Sequence, residues 1–373
     1  MKEWRVGKGE KDQRFNKYLQ RKLPDAPSSF LYKLLRKKNI TLNGKKASGS
    51  ELLLEGDLVT FFLSDETIAK FGGAPAAADN AASLQETNEA LEEYGRAYRQ
   101  IQRRIGEGGI LYEDAYILAV RKPVGVLAQK SVDTDRSINE WFVGYLLSKG
   151  EVSASSLRQF RPSICNRLDR NTGGILLCAK SLQGARTMGR LLKDRSLHKY
   201  YQAVVAGKVA QSGQIEGYLT KDAVTNTVNF KKSGKADQRS ASGSGKSPSP
   251  EKSAFSGKSP NTSDNGKGWT RTTYKPLITG ARYSLLEMEL ITGKTHQIRS
   301  HLASIGHPIL GDPKYGNVRI NETVRSQYGV RGQMLWCERV EFPQIEGDLA
   351  ALSGRVIVCE PPALYREIAS HSK

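Results

Sequence analysis

The most informative segment of this 373-residue sequence occupies positions 166–174 and reads Asn-Arg-Leu-Asp-Arg-Asn-Thr-Gly-Gly. The apolar run Ile-Leu-Leu-Cys-Ala follows at 175–179 and is typical of a buried strand. Two adjacent glycines allow a sharp turn just before that strand. Asp169 lies between Arg167 and Arg170, whose guanidinium groups favour a charged carboxylate. Such a carboxylate is suited to nucleophilic or electrostatic catalysis, and a structural ion pair with either arginine is the alternative.

The composition restricts the class of partner. A formal net charge of +19 indicates a polyanion, with nucleic acid as the first candidate. No apolar run approaches the roughly 18 residues that a membrane-spanning helix needs, and no signal-peptide pattern is found. The four cysteines are scattered, without the spacing of a zinc or redox site. We therefore expect a cytoplasmic protein with reduced thiols and no membrane partner.

The first 68 residues are predicted to form a compact module. A helix is expected over 30–38, capped by the serine pair at 28–29, followed by a strand that enters the Asn43-Gly44 turn. The return strand is expected within 52–59. This order of features resembles the small RNA-binding domain named after ribosomal protein S-four. The resemblance implies RNA contacts by exposed basic side chains, namely Lys33, Arg36, Lys37, Lys38 and Lys45.

Two stretches interrupt the apolar patterning. Residues 69–109 are predicted to be a linker that contains a short exposed helix over 86–104. Residues 231–268 are rich in Ser, Gly, Lys and Pro, and we expect a disordered basic insert there. The remaining sequence from 110 to 373 is predicted to form the catalytic domain.

Two further motifs accompany the Asp169 segment. Residues 199–207 read Lys-Tyr-Tyr-Gln-Ala-Val-Val-Ala-Gly, and residues 292–302 read Thr-Gly-Lys-Thr-His-Gln-Ile-Arg-Ser-His-Leu. The latter motif continues at 306–316 as Gly-His-Pro-Ile-Leu-Gly-Asp-Pro-Lys-Tyr-Gly. The spacing of its histidines differs from the i, i+4 pairing of helical zinc ligands, so we expect no metal site.

The three motifs, in this order, resemble those of the RluA/RluC-type ribosomal large-subunit pseudouridine synthases. The sequence departs from the usual pattern at Asn166, Gly173 and Lys294, where that family has His, Ser and Arg. The resemblance implies an α+β fold, in which helices flank a mixed, mainly antiparallel β-sheet. It also implies a reaction without a cofactor.

The resemblance also implies roles for individual residues. Asp169 acts on the ribose, either by nucleophilic attack or by proton abstraction, and Arg299 pairs with it and keeps it charged. Tyr201 stacks beneath the uracil, while neighbouring Tyr200 faces the opposite side of the strand and is structural. Candidates for contacts to the RNA backbone at this site are Arg167, Lys294 and His296.

The sequence thus predicts a monomeric enzyme that isomerises specific uridines in RNA, with 23S rRNA as the main candidate substrate. A tRNA-directed pseudouridine synthase is one alternative. A non-catalytic RNA-binding or ribosome-assembly protein is the other, and it has no need for Asp169, Tyr201 and Arg299 together.

Overall fold

The computed structural model describes residues 2–7, 10–72, 81–132, 134–221, 228–232 and 268–371. The chain forms two compact units. Unit 1 contains Met1–Leu197 and Arg339–Glu360, and unit 2 contains His198–Glu338 and Pro361–Lys373. The disorder predicted over 231–268 falls outside the described residues, except at the two ends of that range, which belong to strands.

Unit 1 begins with a small module that has its own apolar core. Its four strands are β1 (Lys2–Arg5), β2 (Ile40–Leu42), β3 (Lys45–Lys46) and β4 (Leu58–Phe61), in the antiparallel order β1-β4-β2-β3. Its helices are α1 (Phe15–Lys22), α2 (Ser28–Arg36) and α3 (Asp65–Lys70). The amphipathic helices α1 and α2 bury one apolar face each, and the core includes Phe15, Leu19, Leu31, Leu35, Ile40 and Phe61.

Two predictions for this module were wrong in detail. Helix α2 begins after Pro27 without a side-chain cap, so the predicted serine cap is absent, and it ends before Lys38, whose φ is 59°. Asn43 and Gly44 both have positive φ, at 50° and 72°, as a two-residue hairpin turn requires. The return strand is therefore β3, whereas β4, which begins only at Leu58, pairs with β2 on its other side.

The helix predicted over 86–104 is longer than expected, and one of its faces is buried rather than exposed. Helix α4 (Ala81–Ile105) packs against α5 (Ile138–Ser148), which begins after its cap Ser137. The apolar spacing at Tyr94, Ala97, Ile101 and Ile105 makes the buried stripe that the prediction overlooked. A Cβ atom at Gly144 of α5 would lie 2.3 Å from the Tyr94 carbonyl oxygen, so glycine permits this close packing.

The rest of unit 1 is built around one fully buried strand. Strand β8 (Gly173–Ala179) is antiparallel to β6 (Ile117–Lys122) on one side and β7 (Ser163–Ile164) on the other. Strand β5 (Ile110–Glu113) pairs with β6. The accompanying helices are α6 (Ala154–Gln159) and α7 (Leu182–Lys193). Because every residue of β8 is buried, this strand fixes the end of the Asp169 segment.

Unit 2 contains an antiparallel sheet in the order β11-β10-β12-β13-β9. Its strands are β9 (His198–Ala206), β10 (Gly213–Lys221), β11 (Val228–Lys232), β12 (Gly268–Thr279) and β13 (Tyr283–Leu290). Its helices are α8 (Gln297–Ser304), α9 (Val318–Tyr328) and α10 (Leu364–Ser370).

Strand β14 (Leu335–Glu341) crosses from unit 2 into unit 1, where it pairs with β15 (Val356–Val358). Between them lies the short 3₁₀ helix Gly347–Leu352. Antiparallel sheets with accompanying helices confirm the α+β class. Within the described ranges, no helix combines the length and the apolar character needed to cross a bilayer.

Candidate active site

Asp169 is half-buried in a loop that is held in place through its backbone. The Asp169 carbonyl accepts the Thr172 amide at 3.0 Å, which closes a tight turn just before β8. The Arg170 carbonyl accepts the Gly125 amide at 2.8 Å, so the turn after β6 is joined to the same loop. The carboxylate is thus carried by a backbone fixed from two sides.

Lys122, the last residue of β6, provides a second connection between these two segments. Its side chain is fully buried, and Nζ donates to the carbonyl oxygens of Pro123, Val126 and Arg170 at 3.0, 2.6 and 3.0 Å. Burial lowers the pKa of Lys122 to about 7, while the nearby Asp169 carboxylate favours its charged form. Sequence reasoning missed this role, although a lysine that ends an apolar strand was a detectable signal.

The arginines beside Asp169 are both exposed, and Arg170 lies 3.7 Å from Asp135. Arg167 is therefore accessible from the solvent. Asn166, which replaces the usual histidine, accepts the Leu177 amide on Oδ1 at 2.8 Å. This bond ties the start of the loop to the middle of β8.

In unit 2, Arg299 of α8 is buried and forms a two-pronged ion pair with Asp312. Nε and Nη2 donate to Oδ2 and Oδ1, each at 2.7 Å, and both side chains are almost inaccessible to water. Burial alone would raise the pKa of Asp312, but the Arg299 guanidinium and the amides of Lys314 and Tyr315 hold it below its ordinary value. Such paired, charge-assisted bonds fix the plane and direction of a guanidinium group.

Tyr315 completes this cluster. Its amide donates to Asp312 Oδ1 at 3.1 Å, and the Arg299 guanidinium carbon lies 5.2 Å from the centre of its ring. Its hydroxyl accepts the Val228 amide at 2.7 Å and lies 3.0 Å from His296 Nδ1. The structure thus brings Arg299 and His296 together through Asp312 and Tyr315. The sequence motif at 306–316 contained both linking residues without revealing their roles.

Tyr201 lies on β9 opposite Met288 of β13, with 4% of its surface exposed. Tyr200 is half-buried opposite Glu289, as expected for the opposite face of the strand. Lys199 is buried as well, and burial lowers its pKa. Asp169 belongs to unit 1, whereas Tyr201 and Arg299 belong to unit 2, so the pairing of Asp169 with Arg299 stays a prediction.

The second histidine of the motif, His301, belongs to the core. It is fully buried, and its two ring nitrogens lie 3.0 Å from the hydroxyls of Thr270 and Thr272. Burial lowers the pKa of His301 to about 4, so the ring is neutral at physiological pH. Over the described part of the chain, His, Cys, Asp and Glu side chains form no group of three that could hold a metal ion.

The candidate RNA-contacting residues are accessible. In the first module, α2 and the segment 46–51 line a groove of about 550 Å³, whose walls include Tyr32, Lys33, Arg36 and Lys46. Lys294 is exposed and His296 is half-buried in unit 2. The remaining candidates of the first module are all exposed, namely Lys37, Lys38 and Lys45.

Comparison with known proteins assigns the family. The RNA pseudouridylate synthase family model matches residues 116–304. The chain belongs to the RNA pseudouridylate synthase family. The synthases of this family are isomerases, and the chain is an enzyme of that class. The matched range contains Asp169, Tyr201 and Arg299, as well as Lys122.

Individual relatives give the same assignment. Ribosomal large subunit pseudouridine synthase D of Borreliella burgdorferi is 30% identical over 212 residues, or 56% of this chain and 55% of that protein. Ribosomal large subunit pseudouridine synthase C of Vibrio vulnificus is 25% identical over 88% of this chain and 84% of that relative. The tRNA pseudouridine synthase C of Yersinia pestis is 29% identical over 66% of this chain and 85% of its own length.

A solved structure supports the fold. Human RNA Pseudouridylate Synthase Domain Containing 4 aligns with a TM-score of 0.50 at 20% identity, covering 74% of this chain and 95% of its own. The likeness concerns the fold alone.

Proposed function

We propose that this synthase converts specific uridines of 23S rRNA to pseudouridine, with Asp169 as its nucleophile. The observation that carries the proposal is the Asp169 loop. Thr172, Gly125 and Lys122 donate hydrogen bonds to the backbone carbonyls of Asp169 and Arg170, and the half-buried Asp169 side chain projects from this fixed backbone. A loop held in this manner loses little backbone freedom when its carboxylate reacts. The family assignment supports the same role.

In the proposed reaction, Asp169 acts on the ribose while the bond between C1′ and N1 of uracil breaks. The uracil then rotates, and C5 forms the new bond to C1′ as the carboxylate leaves. The C5 proton is lost and N1 gains a proton, so the product is an isomer of the substrate. Tyr201 stacks beneath the base and assists removal of the C5 proton, and Arg299 keeps Asp169 charged and oriented.

The target base must leave its stack before it can rotate, at a cost of roughly a few kcal/mol. Contacts to backbone phosphates offset that cost. We assign these contacts to Arg167 of unit 1 and to Lys294 and His296 of unit 2. The exposed basic residues of the first module bind RNA farther from the target uridine. We also propose three parts of the chain: the RNA-binding module at 1–68, the linker at 69–109 and the catalytic domain at 110–373.

The names of the relatives support rRNA as the main candidate substrate, with tRNA as the alternative. The alignment with synthase C of Vibrio vulnificus, which is named for the ribosomal large subunit, spans 88% of this chain, which is too long to omit all of the first 68 residues. The alignments with the tRNA relative and with the synthase D of Borreliella burgdorferi are shorter, at 66% and 56% of this chain. We further propose that the enzyme is cytoplasmic and monomeric. Light scattering on the purified full chain would test the monomeric state.

The test is pseudouridine mapping by carbodiimide labelling and reverse transcription on total RNA from cells without this gene. The cells are complemented with wild type, with Asp169→Asn, or with Asp135→Asn as a matched carboxylate substitution near the same loop. We expect 23S stops to return with wild type and Asp135→Asn and to remain absent with Asp169→Asn.

Other outcomes have distinct meanings. If reverse-transcription stops were lost and restored only in tRNA, the proposed chemistry would stand and the substrate would be tRNA. Full restoration by Asp169→Asn, or no dependence of any uridine on the gene, would contradict the catalytic proposal and leave a non-catalytic RNA-binding protein.

A further inference from the structure

The hydroxyl of Tyr315 joins two segments of unit 2 that are distant in sequence. It accepts the backbone amide of Val228, the first residue of β11, at 2.7 Å. It also lies 3.0 Å from Nδ1 of His296, which immediately precedes α8. A phenol carries one proton and can both donate and accept. Since the Val228 amide can only donate, the hydroxyl accepts that bond, and its proton does not take part in it.

The direction of this bond decides which nitrogen of a neutral His296 ring carries the proton. If the phenol donates to Nδ1, that nitrogen is unprotonated and the ring hydrogen is on Nε2. His296 then presents an uncharged N–H donor. The backbone of His296 is also unusual, because its φ of 54° is in the left-handed region, which non-glycine residues seldom adopt. This conformation is retained where the surroundings fix it, and the bond to Tyr315 is one such constraint.

The ring of Tyr315 acts on a second side chain. The Arg299 guanidinium carbon is 5.2 Å from the ring centre, and Asp312 binds both the guanidinium group and the Tyr315 amide. The rings of Tyr315 and His296 meet edge to face, with their centres 5.7 Å apart. One aromatic residue therefore limits the movement of both Arg299 and His296.

We propose that Tyr315 is a positioning residue of the active site, which holds the guanidinium plane of Arg299 and fixes His296 as the Nε2–H tautomer, a neutral donor for the phosphate beside the target uridine. The phosphate contact of His296 and the catalytic role of Arg299 rest on the function proposed above. The tautomer of His296 does not, so it can be measured without any RNA.

The first experiment records the imidazole ¹⁵N resonances of the full chain at pH 8, where an ordinary histidine with a pKa near 6.5 is mostly neutral. The chain has five histidines, and loss of a signal in His296→Gln assigns the resonance of interest. We expect the Nε2–H tautomer in wild type and a mixture of tautomers in Tyr315→Phe. An Nδ1–H tautomer in wild type, or an unchanged tautomer in Tyr315→Phe, would overturn the proposal.

The second experiment separates the hydroxyl from the ring by steady-state kinetics on an unmodified 23S rRNA transcript. Tyr315→Phe keeps the ring but loses the hydroxyl, and we expect KM to rise about tenfold, as loss of one useful hydrogen bond would cause, with little change in kcat. Tyr315→Leu also loses the ring, and we expect a further fall in kcat of about a hundredfold because Arg299 is misaligned.

The matched control is Tyr328→Phe, which removes a hydroxyl from the last residue of α9 and should leave both constants unchanged. If Tyr315 had a purely structural role, Tyr315→Phe and Tyr315→Leu would lose equal amounts of active enzyme, and KM and kcat would not be affected separately. That result would contradict the proposal. A wild-type chain with the expected tautomer but without synthase activity would instead contradict the function proposed above.

Discussion

Arg299 and Asp312 form the most deeply buried ion pair described here, since 5% and 0% of their side-chain surfaces are exposed. Removing one member of such a pair leaves a buried charge without its partner. We expect Asp312→Asn to lower the free energy of unfolding by about 3–5 kcal/mol in urea denaturation. Adding Arg299→Gln should restore part of the stability without restoring activity.

An exposed ion pair provides the comparison. Arg96 and Glu92 are one helical turn apart on α4 and largely exposed, so Arg96→Gln should cost less than about 0.5 kcal/mol. A similar cost for Arg96→Gln and Asp312→Asn would show that the Arg299 pair is more hydrated than its geometry indicates.

His301 should make the protein sensitive to acid. Its pKa is about 4 in the folded chain, compared with about 6.5 when unfolded, so the unfolded state binds the additional proton between these values. Stability should therefore fall as the pH decreases from 6.5 to 4, by about 3 kcal/mol for this group. Urea denaturation at several pH values should show a smaller fall for His301→Gln. An identical pH dependence would exclude this histidine as the cause.

At the residue scale, the sequence could identify residues whose roles are indicated by their immediate neighbours in the chain. Asp169, Tyr201 and Arg299 were recognisable because each lies in a motif. The role of Lys122 was missed because it depends on burial and on a contact with the Arg170 carbonyl, 48 positions along the chain. The role of Tyr315 was missed because it depends on the Val228 amide and the His296 imidazole, which only the fold brings together. The sequence could also not distinguish a core His301 from a half-buried His296, since that difference comes from packing.

At the element scale, the crossing of α4 and α5 depends on the absence of a side chain at Gly144. We expect Gly144→Ala to reduce the unfolding free energy by about 1–3 kcal/mol, because its Cβ would approach the Tyr94 carbonyl to 2.3 Å. Thermal and urea denaturation measure the change.

Gly189 on α7 supplies the control. No atom lies within 4 Å of a Cβ built there, and alanine is the better helix former by about 1 kcal/mol. Gly189→Ala should therefore stabilise the protein. Equal effects of the two substitutions would mean that helix propensity, rather than packing at the crossing, governs Gly144.

Among the helices and strands, too, features set by local sequence were predictable and features set by tertiary contacts were not. The strand over 175–179 and the hairpin turn at Asn43 and Gly44 were predicted because apolar runs and turn chemistry act locally. The strand begins earlier than predicted, at Gly173, so the glycine pair belongs to the strand and not to a turn before it. The burial of α4 was not, since a stripe of four apolar residues gains its meaning only from the partner helix. The pairing of β4 with β2 was likewise a matter of tertiary contacts.

At the scale of the whole molecule, the net charge of +19 should make RNA binding strongly dependent on salt. We expect the combined change of Lys33, Arg36 and Lys37 to Gln to weaken 23S rRNA binding. The slope of log K against log salt should become shallower by roughly two to three, because each lost phosphate contact contributes about 0.7–0.9. Filter binding at several salt concentrations measures the slope.

A variant with the same net charge tests whether the location matters. Lys275, Arg319 and Arg325 are exposed in unit 2, and their combined change to Gln removes three charges as well. If the two triple variants reduce the slope equally, general charge rather than the first module determines the salt dependence.

The order of the two units along the chain also shapes synthesis of the enzyme. Unit 1 includes 339–360, where Asp348 accepts a bond from Gln183 and the Arg355 guanidinium stacks on Tyr112. A ribosome must translate the roughly 140 residues from His198 to Glu338 first, which takes about 7–28 s at 5–20 residues per second. During that interval the nascent first unit lacks its final strand, and for the same reason no single proteolytic cut can release either unit intact.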